Sequence, residues 1–514
     1  MAQVDDMIYL LTRPEVQAAI PAKVTSSDGK RTYDVPWALN FLIQTLKAQM
    51  TTLTEAKALT TSILAYVQSG TGTLADAQAK AEELNVYLQE QLAPDATQTA
   101  MVTVLQFLMI APPPPPPAPG SGPTTPPPPP TPTPGSGSTA PPPPPPPTTV
   151  PPSTAPSETP VSLPNPATIV NASSQSQLDA ALADAAGGKR IKLANGSYNL
   201  KLSNKVYASP NVIESASGMG AKLSYTFIQN VGNLTVRNVV MSSIPAAGTN
   251  PLAQYVAKVL GCKGGVIFDN IYMHGSLDGD PRNDMGGFYI SGTGLTIQNS
   301  EAEQLFKFVV GAGDNLAILN NKVHDLRSDG LTLASGSNVT IAGNYGYRFA
   351  RASGDHPDFI QLQTLNQTRP FKNVVIRNNV FEQWDGSGVQ FIFLADQAGN
   401  LPYENVTIEN NFGMGSNMAN GIFVDHAKGT LIVRNNTIVS PIDDATNYWF
   451  RFDKLLSSMT FTGNIGDAYN GIGQGSNYIG KEVFSSGQKA KLAQAVYKDT
   501  RVADLIVSGK GYQP

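Results

Sequence analysis

The sequence predicts a mainly β fold in which a solenoid of stacked coils fills most of the chain after residue 166. One short phrase, two apolar residues spaced by one and then asparagine, occurs nine times between Leu234 and Asn464. The intervals between its starts are 32, 29, 21, 23, 35, 32, 25 and 28 residues. One alternating strand per repeat at such a period is typical of a solenoid whose coils cover one another. The copies are LTVRN at Leu234, VIFDN at Val266, LTIQN at Leu295, LAILN at Leu316, VTIAGN at Val339, VVIRNN at Val374, VTIENN at Val406, LIVRNN at Leu431 and MTFTGN at Met459.

Composition limits the other classes of protein. A chain of 514 residues with 14% charged residues, 46 Gly and 41 Pro divides into two or three domains and is not typical of an α-helical cytosolic enzyme. Its net charge of −4 indicates neither a nucleic-acid nor a membrane partner. The single Cys262 excludes an internal disulfide framework and a cysteine metal cluster. Because phosphate-loop and zinc spacings are also missing from the sequence, we expect no cofactor and no metal site. The cluster of Asp278, Asp280 and Asp284 is expected to be a surface loop, with coordination of Ca²⁺ as the alternative.

Residues 1–110 are predicted to be an α-helical attachment or oligomerisation domain. Apolar residues recur there at three- and four-residue spacings, as in a helix with one buried stripe. A small bundle and an oligomerising stalk both fit, since the stripe is nearly heptad-like. The first residues, MAQVDDMIYL, lack the basic start of a secretory signal, so export by the general pathway is not expected. The stripe includes Leu39, Leu42, Leu46, Met50 and Leu53.

Residues 111–166 are predicted to be a proline-rich linker in polyproline II conformation. The segment has one ionisable residue, Glu158, and cannot bury a core. At about 3.1 Å per residue, such a spacer reaches up to about 170 Å. Recognition by SH3-type domains is the alternative role for the segment.

Residues 167–480 are predicted to be the solenoid and residues 481–514 a C-terminal cap or tail. A short amphipathic helix around Leu178 and Leu182 is well placed to cap the first coil. Each coil is predicted to hold two strands, one before the asparagine phrase and one within it. On the preceding strands we expect Thr332, Gln361, Gln390 and Phe423 to form an outward column, because side chains alternate along a strand.

The asparagines of the phrase are predicted to be structural. Asparagine tolerates left-handed backbone at turns, and stacked side-chain amides form hydrogen-bonded ladders. The capping helix, the coils and this ladder resemble the right-handed parallel β-helix superfamily, which includes pectate, alginate and chondroitin lyases and phage tailspikes. The resemblance covers about residues 166 to 480. The stretch QLDAALADAAGGKRIKLANGSY is similar to the start of the alginate and chondroitin lyases, but their Lys and Arg catalytic motif has no match here.

Asp329, Asp358 and His356 are the candidate catalytic residues. Aligning SDGLTL with PDFIQL puts Asp329 and Asp358 at equivalent positions of consecutive coils, about 5 Å apart. That is close to the carboxyl spacing of a retaining glycosidase, and two like charges so close raise one pKa. Sugar binding without chemistry by the pair, turn formation by Asp329 and a loop role for His356 are the alternatives.

Other polar residues near this pair are candidates for binding a sugar. The amides are suited to hydroxyl groups and the arginines to a uronate. Asp425 and His426 either extend the same groove or bind a cation with Asp396. His324 and Asp325 either orient Asp329 or have a core or turn role. The substrate-binding candidates are Gln361, Gln390, Arg348, Arg351, Asp355, Asp425 and His426.

A helical head, a proline spacer and a β-helix together resemble a phage tailspike, fibre or virion spike. The resemblance implies a homotrimer on the phage particle, attached to other virion proteins through residues 1–110 and contacting a host surface polysaccharide. Depolymerisation of that polysaccharide, by hydrolysis or β-elimination, and non-enzymatic receptor binding both remain open. A bacterial polysaccharide lyase is a further alternative.

Overall fold

The computed structural model describes residues 23–25, 32–34 and 157–514, apart from residues 244–249, 417, 419, 444–447 and 457 and the side chains of residues 23–25, 32–34 and 481. The chain divides into two compact units, Met1–Pro141 and Pro142–Pro514. In the first unit, strand β1 (Lys23–Thr25) pairs antiparallel with β2 (Thr32–Asp34). The helices predicted for residues 1–110 and most of the predicted linker lie outside the described residues.

The second unit is a parallel β-helix. Helix α1 spans Gln175–Ala183, α2 Gly480–Val483 and α3 Ser486–Lys491. The strands are β3 Thr168–Ala172, β4 Lys189–Leu193, β5 Gly196–Ser215, β6 Ala221–Ser242, β7 Tyr255–His274, β8 Gly286–Gln298, β9 Glu301–Glu303, β10 Val309–Gly311, β11 Leu316–Leu319, β12 Lys322–His324, β13 Leu331–Leu333, β14 Ser337–Ala342, β15 Tyr345–Tyr347, β16 Asp358–Gln363, β17 Lys372–Arg377, β18 Val380–Glu382, β19 Gln390–Ala395, β20 Tyr403–Glu409, β21 Phe412–Met414, β22 Asn420–Asp425, β23 Ala427–Arg434, β24 Thr437–Val439, β25 Trp449–Asp453, β26 Met459–Gly466, β27 Ala468–Asn470 and β28 Ser476–Ile479.

Each coil contributes to three parallel sheets, not to the two predicted. Sheet A contains the asparagine phrases and includes β11, β14, β17, β20 and β23. Sheet B follows the asparagines and includes β9, β12, β15, β18, β21 and β24. Sheet C precedes the phrases and includes β10, β13, β16, β19, β22, β25 and β27. The sheet B strands are mostly three residues long, which is too short to show a period of two in the sequence.

The nine asparagine phrases stack in register, as predicted. Leu234 lies opposite Val266, Val266 opposite Leu295, and the pairing continues to Leu431 opposite Met459. The apolar residues of the phrases point inward and are almost fully buried from Leu234 to Leu431. One continuous apolar core therefore runs through the coils.

The asparagines at the ends of the phrases form two ladders. The outer ladder contains the predicted residues, all of which have positive φ, and neighbouring amides bond as in Asn270 Nδ2 to Asn238 Oδ1 at 2.8 Å. The inner ladder comes one residue later and is buried, with Asn379 Nδ2 donating to Asn411 Oδ1 at 3.0 Å. In the sequence, the second asparagine of each NN pair indicates the inner ladder, which was not predicted. Members of the outer ladder are Asn238, Asn270, Asn299, Asn320, Asn378, Asn410 and Asn435. Members of the inner ladder are Asn321, Asn344, Asn379, Asn411, Asn436, Asn464 and Asn477.

The predicted outward column on sheet C is wrong at one position. Gln361 lies opposite Phe393, and Phe393 opposite Phe423, whereas Gln390 lies opposite Asp358. The prediction continued the alternation of inward and outward side chains from Val389 into β19. The chain turns a corner at the start of this strand, and Gln390, Phe391 and Ile392 are all buried there. A period of two does not hold through such a corner.

The ends of the β-helix are covered differently. Helix α1 begins at the N-cap Ser174 and buries Leu178, Ala181 and Leu182 against the first coils. The tail from α2 onward packs its apolar residues, including Tyr497 and Tyr512, against the outer side of sheet B. Among the described helices, none has the length and apolarity needed to cross a membrane.

Candidate functional site

Asp329 and Asp358 lie on consecutive coils at the start of the sheet C strands. Because Leu331 pairs with Ile360, the two aspartates occupy equivalent positions, as the alignment predicted. The backbone N–H of Asp358 donates to Asp329 Oδ1 at 3.0 Å. Both side chains are buried, with 2% of Asp329 and 0% of Asp358 exposed. We call these two residues the carboxylate pair.

Lys307 forms an ion pair with Asp329. The Lys307 ammonium lies 2.5 Å from Asp329 Oδ2, which also accepts from the Thr332 hydroxyl at 2.6 Å. The sequence analysis missed Lys307, although Val309 pairs with Leu331 and Lys307 therefore stands one coil before Asp329. Aligning FKFVVG with SDGLTL would have found it.

Asp358 lies under two glutamine side chains. Gln361 Nε2 donates to its Oδ2 at 2.8 Å and Gln390 Nε2 to its Oδ1 at 2.7 Å. Burial, followed by the negative charge of Asp329, raises the pKa of Asp358 well above its usual range, against the opposing effects of Gln390 and Lys307. When it is protonated, Asp358 donates its O–H to one of the two amides, which must turn over to accept it. The pair therefore places a carboxyl group of raised pKa next to one that is ion-paired with Lys307.

His356 is exposed at the rim of this site. Its Nδ1 lies 3.0 Å from Gln390 Nε2, and Gln390 Oε1 in turn accepts from Asn420. His356 therefore reaches Asp358 through Gln390, and no direct bond joins the two among the described contacts.

The arginine and aspartate candidates near the pair are engaged elsewhere. Arg348 forms a two-pronged ion pair with Asp325 at 2.6 and 2.7 Å. Asp355 pairs with Arg327 at 2.7 Å. Arg351 contacts Met418 Sδ at 3.4 Å. Of the three, Arg351 alone makes no ion pair among the described residues.

His426 and Asp425 lie at the opposite end of the sheet C strands, after β22. His426 Nδ1 lies 2.5 Å from Asp396, whose buried carboxylate also accepts from Thr364 Oγ1 and two backbone N–H groups. These hydrogen bonds outweigh burial and lower the pKa of Asp396. Asp425 pairs with Lys454 at 3.4 Å. Asp396 therefore fixes the ring of His426, and these residues do not contact the carboxylate pair.

His324 does not orient Asp329. It lies in sheet B, stacked on Tyr347, with Nδ1 2.6 Å from Asp325 and Nε2 3.0 Å from Glu301. Burial opposes its charge, but the bonds to Asp325 and Glu301 raise its pKa. Glu303, His324 and Asp325 bring possible ligand atoms within 4.8 Å of one another. Each of the three residues already has a hydrogen-bond partner, so we interpret them as part of an ion-pair network.

Comparisons with known proteins concern the fold. Residues 227–438 match the family model described as right handed beta helix region. No curated protein sequence is similar enough to this chain to be matched to it.

Several solved structures resemble the chain in part. An alginate lyase from Paenibacillus sp. str. FPU-7 has 14% identity and a TM-score of 0.37, over 59% of this chain and 98% of that one. The Streptococcus pneumoniae surface protein and adhesin PfbA has 14% identity and a TM-score of 0.37, over 58% and 93%. Polygalacturonase from Erwinia carotovora ssp. carotovora has 14% identity and a TM-score of 0.32, over 63% and 100%. At these scores the likenesses carry no conclusion about activity. The parallel stacking of the coils agrees with the match of residues 227–438 to the model of a right handed beta helix region.

Proposed function

We propose that this chain binds an extended polysaccharide along the outer side of sheet C. The observation that carries the proposal is a column of eleven side chains in unbroken register, one from each coil. At about 4.8 Å per step, the column is about 48 Å long, which suits a polymer more than a small ligand. Its members are Lys201, Phe227, Lys258, Tyr289, Val310, Thr332, Gln361, Phe393, Phe423, Arg451 and Asn470.

Aromatic rings stand on both halves of this column. Tyr289, 40% exposed, stacks on Tyr255 with ring centroids 5.0 Å apart. Farther along, Phe393 lies 4.9 Å from Phe423, and the Arg451 guanidinium lies 4.7 Å from the Phe423 ring. Aromatic faces offer apolar contact to the C–H side of a sugar ring, and amides such as Gln361 offer hydrogen bonds to hydroxyls.

The burial of the carboxylate pair favours polysaccharide binding over polysaccharide cleavage as the function. Asp358 is 0% exposed beneath Gln361 and Gln390, so a bound sugar meets the amides first. Recognition through the column on sheet C does not require these two glutamines to move.

Hydrolysis is the second candidate function. The observation that favours it is that Asp358, a buried carboxyl group whose pKa is raised, lies next to Asp329, which is ion-paired with Lys307. In a retaining mechanism Asp358 would donate a proton to the glycosidic oxygen while Asp329 attacks the sugar, which requires both glutamines to move aside.

The biological setting that we propose is a phage tailspike or virion spike. The support is the order of segments: helical periodicity in residues 1–110, a proline-rich spacer and then a β-helix. Attachment to other virion proteins through residues 1–110, a homotrimeric state and a host surface polysaccharide as ligand belong to this proposal.

Binding to purified bacterial capsules and lipopolysaccharides tests the main proposal. We expect Tyr289→Ala to weaken binding about fivefold to tenfold, the loss of about 1 kcal/mol of aromatic contact. Tyr225→Ala is the matched control, because Tyr225 is 46% exposed and lies outside the column. Equal affinities for both variants and the parent chain would contradict binding along sheet C.

New reducing ends in the same incubations test hydrolysis. We expect Asp358→Asn to abolish them while polysaccharide binding persists. Binding by the parent chain without product would leave recognition as the function and reject hydrolysis.

A further inference from the structure

The end of the predicted spacer is bound along the outer ladder of sheet A. Glu158 donates its backbone N–H to Asn320 Oδ1 at 2.8 Å, and Asn320 Nδ2 donates back to the Glu158 carbonyl at 2.8 Å. Three residues later, Val161 forms the same two-bond pairing with the Gln298 amide, at 2.8 and 3.1 Å. Two side-chain amides thus bind the backbone of an extended segment. We call residues 157–166 the strap.

The spacing of three residues fits the chemistry of the strap. A polyproline II chain repeats every three residues, so residues 158 and 161 face the same side. Proline cannot donate a backbone hydrogen bond, and the strap has non-proline residues at both docked positions. Asn320 of the outer ladder and Gln298, next to the ladder residue Asn299, therefore bind backbone N–H groups at that spacing.

The C-terminal tail uses the same pairing on the same ladder. Gln513 donates its backbone N–H to Asn410 Oδ1 at 2.8 Å, and Asn410 Nδ2 donates to the Gln513 carbonyl at 2.8 Å. An amide of the ladder again takes the place of a neighbouring strand.

A short chain of hydrogen bonds joins the two docked segments. The Glu158 carboxylate forms a two-pronged ion pair with Arg377 at 3.0 and 2.9 Å and accepts from Asn378 Nδ2 at 2.5 Å. Asn378 Oδ1 accepts from Asn410 Nδ2 at 2.7 Å, and Asn410 holds Gln513. The order is thus Glu158, Asn378, Asn410 and Gln513.

We propose that the outer ladder is a docking surface for extended segments of this chain, and that Glu158, Asn378, Asn410 and Gln513 form a clasp between the strap and the tail. The spacer then joins the β-helix at the coil of Arg377, beside the tail, and not at helix α1. A pull on the spacer is borne first by the clasp and by the side of the β-helix. This inference does not depend on what sheet C binds.

Amide hydrogen exchange of the full-length chain, followed by mass spectrometry, tests the clasp. Val161→Pro removes the N–H that Gln298 accepts, whereas Ser162→Pro adds a proline at a neighbouring position whose N–H has no partner among the described bonds. We expect Val161→Pro to speed exchange at Glu158 and Thr159 about tenfold, the loss of one or two net hydrogen bonds. Ser162→Pro should leave these rates unchanged.

Hydrogen exchange in the C-terminal tail measures whether the clasp couples the strap to the tail. Glu158→Gln removes the ion pair with Arg377, and we expect exchange at Tyr512 and Gln513 to rise about threefold, within the range of one weakened hydrogen bond. Glu404→Gln is the matched control, because Glu404 pairs with Lys372 on the same sheet. Equal exchange at Glu158 in both proline variants would overturn the docking surface. Unchanged exchange at Gln513 in Glu158→Gln, with the strap released, would overturn the clasp.

Discussion

The backbone N–H of Asp358 donates to the carboxylate of Asp329 at 3.0 Å, across two consecutive coils. Asp329 therefore ties strand β16 to the coil before it, and its charge also raises the pKa of Asp358. The same contact serves the fold and the electrostatics of the candidate site. Experiments that separate these two effects have to change charge without changing shape.

Asp358→Asn is such a change, and we expect it to stabilise the chain near neutral pH. The pKa of Asp358 is raised in the folded state, so the folded chain holds this proton more tightly than the unfolded chain. That contribution to stability is fully present below the unfolded pKa and is lost as pH rises through the folded pKa. Asparagine has no proton to lose, and each unit of pKa difference is worth about 1.4 kcal/mol.

Urea unfolding at pH 4 and pH 7.5 measures this effect. The parent chain should lose more stability between the two values than Asp358→Asn does. Asp179→Asn, on the exposed side of α1, is the control and should follow the parent chain. A parallel loss in Asp358→Asn would mean that folding does not raise the pKa of Asp358.

Lys307→Met should destabilise the chain strongly. Asp329, 2% exposed, would keep a buried charge without its ion-pair partner, which typically costs about 3 to 5 kcal/mol. The double variant Lys307→Met with Asp329→Asn should recover most of that loss, because no charge then remains unpaired. Lys454→Met removes an ammonium whose side chain is 59% exposed and should change the free energy of unfolding by less than about 1 kcal/mol. A double variant no more stable than Lys307→Met would show that packing, not charge, sets the cost.

Sequence reasoning reached the fold where one pattern was repeated many times. The nine phrases fixed which residues of sheet A stack, because a register error in any coil would turn its apolar residues outward. The sequence pattern did not predict strands of three residues, such as Tyr345–Tyr347. It was also misleading at the corner before Ile392, where the alternation of buried and exposed side chains stops. The carboxylate pair was predictable from one alignment of two coils, but its partners depended on the neighbouring coils.

Asn411→Ala should cost about 3 kcal/mol of stability. The Asn411 side chain is 0% exposed, and its Nδ2 donates to Asn436 Oδ1 at 2.9 Å and to the Ile376 carbonyl at 3.0 Å. Its Oδ1 accepts from the backbone N–H and the Nδ2 of Asn379, and alanine leaves that buried backbone N–H without this acceptor. Asn373→Ala removes an exposed amide at the start of β17, which donates to Asn338 Oδ1 at 2.9 Å, and should cost about 1 kcal/mol or less. The midpoint of urea unfolding distinguishes the two variants. Equal shifts would argue against a larger contribution to stability from the buried amide of Asn411.

Glu382→Gln should loosen the C-terminal tail from sheet B. The Glu382 carboxylate, in a residue 2% exposed, accepts from Tyr345 OH at 2.5 Å, Trp384 Nε1 at 2.9 Å and the backbone N–H of Val502 at 2.6 Å. Glutamine offers one acceptor oxygen and turns an N–H₂ group toward the remaining donors, at a cost of about 2 kcal/mol.

Limited proteolysis of the tail and the fluorescence of Trp384 report this change. The Arg501 guanidinium lies 4.2 Å from the Trp384 ring, so release of the tail exposes that ring to water. We expect faster cleavage after residue 480 and a red-shifted emission in Glu382→Gln. Glu409→Gln, which alters an exposed ion pair with Arg434 on sheet A, should change neither. If the tail of Glu382→Gln resists the protease as well as the parent chain, the apolar contacts of Tyr497 and Tyr512 hold the tail without the carboxylate.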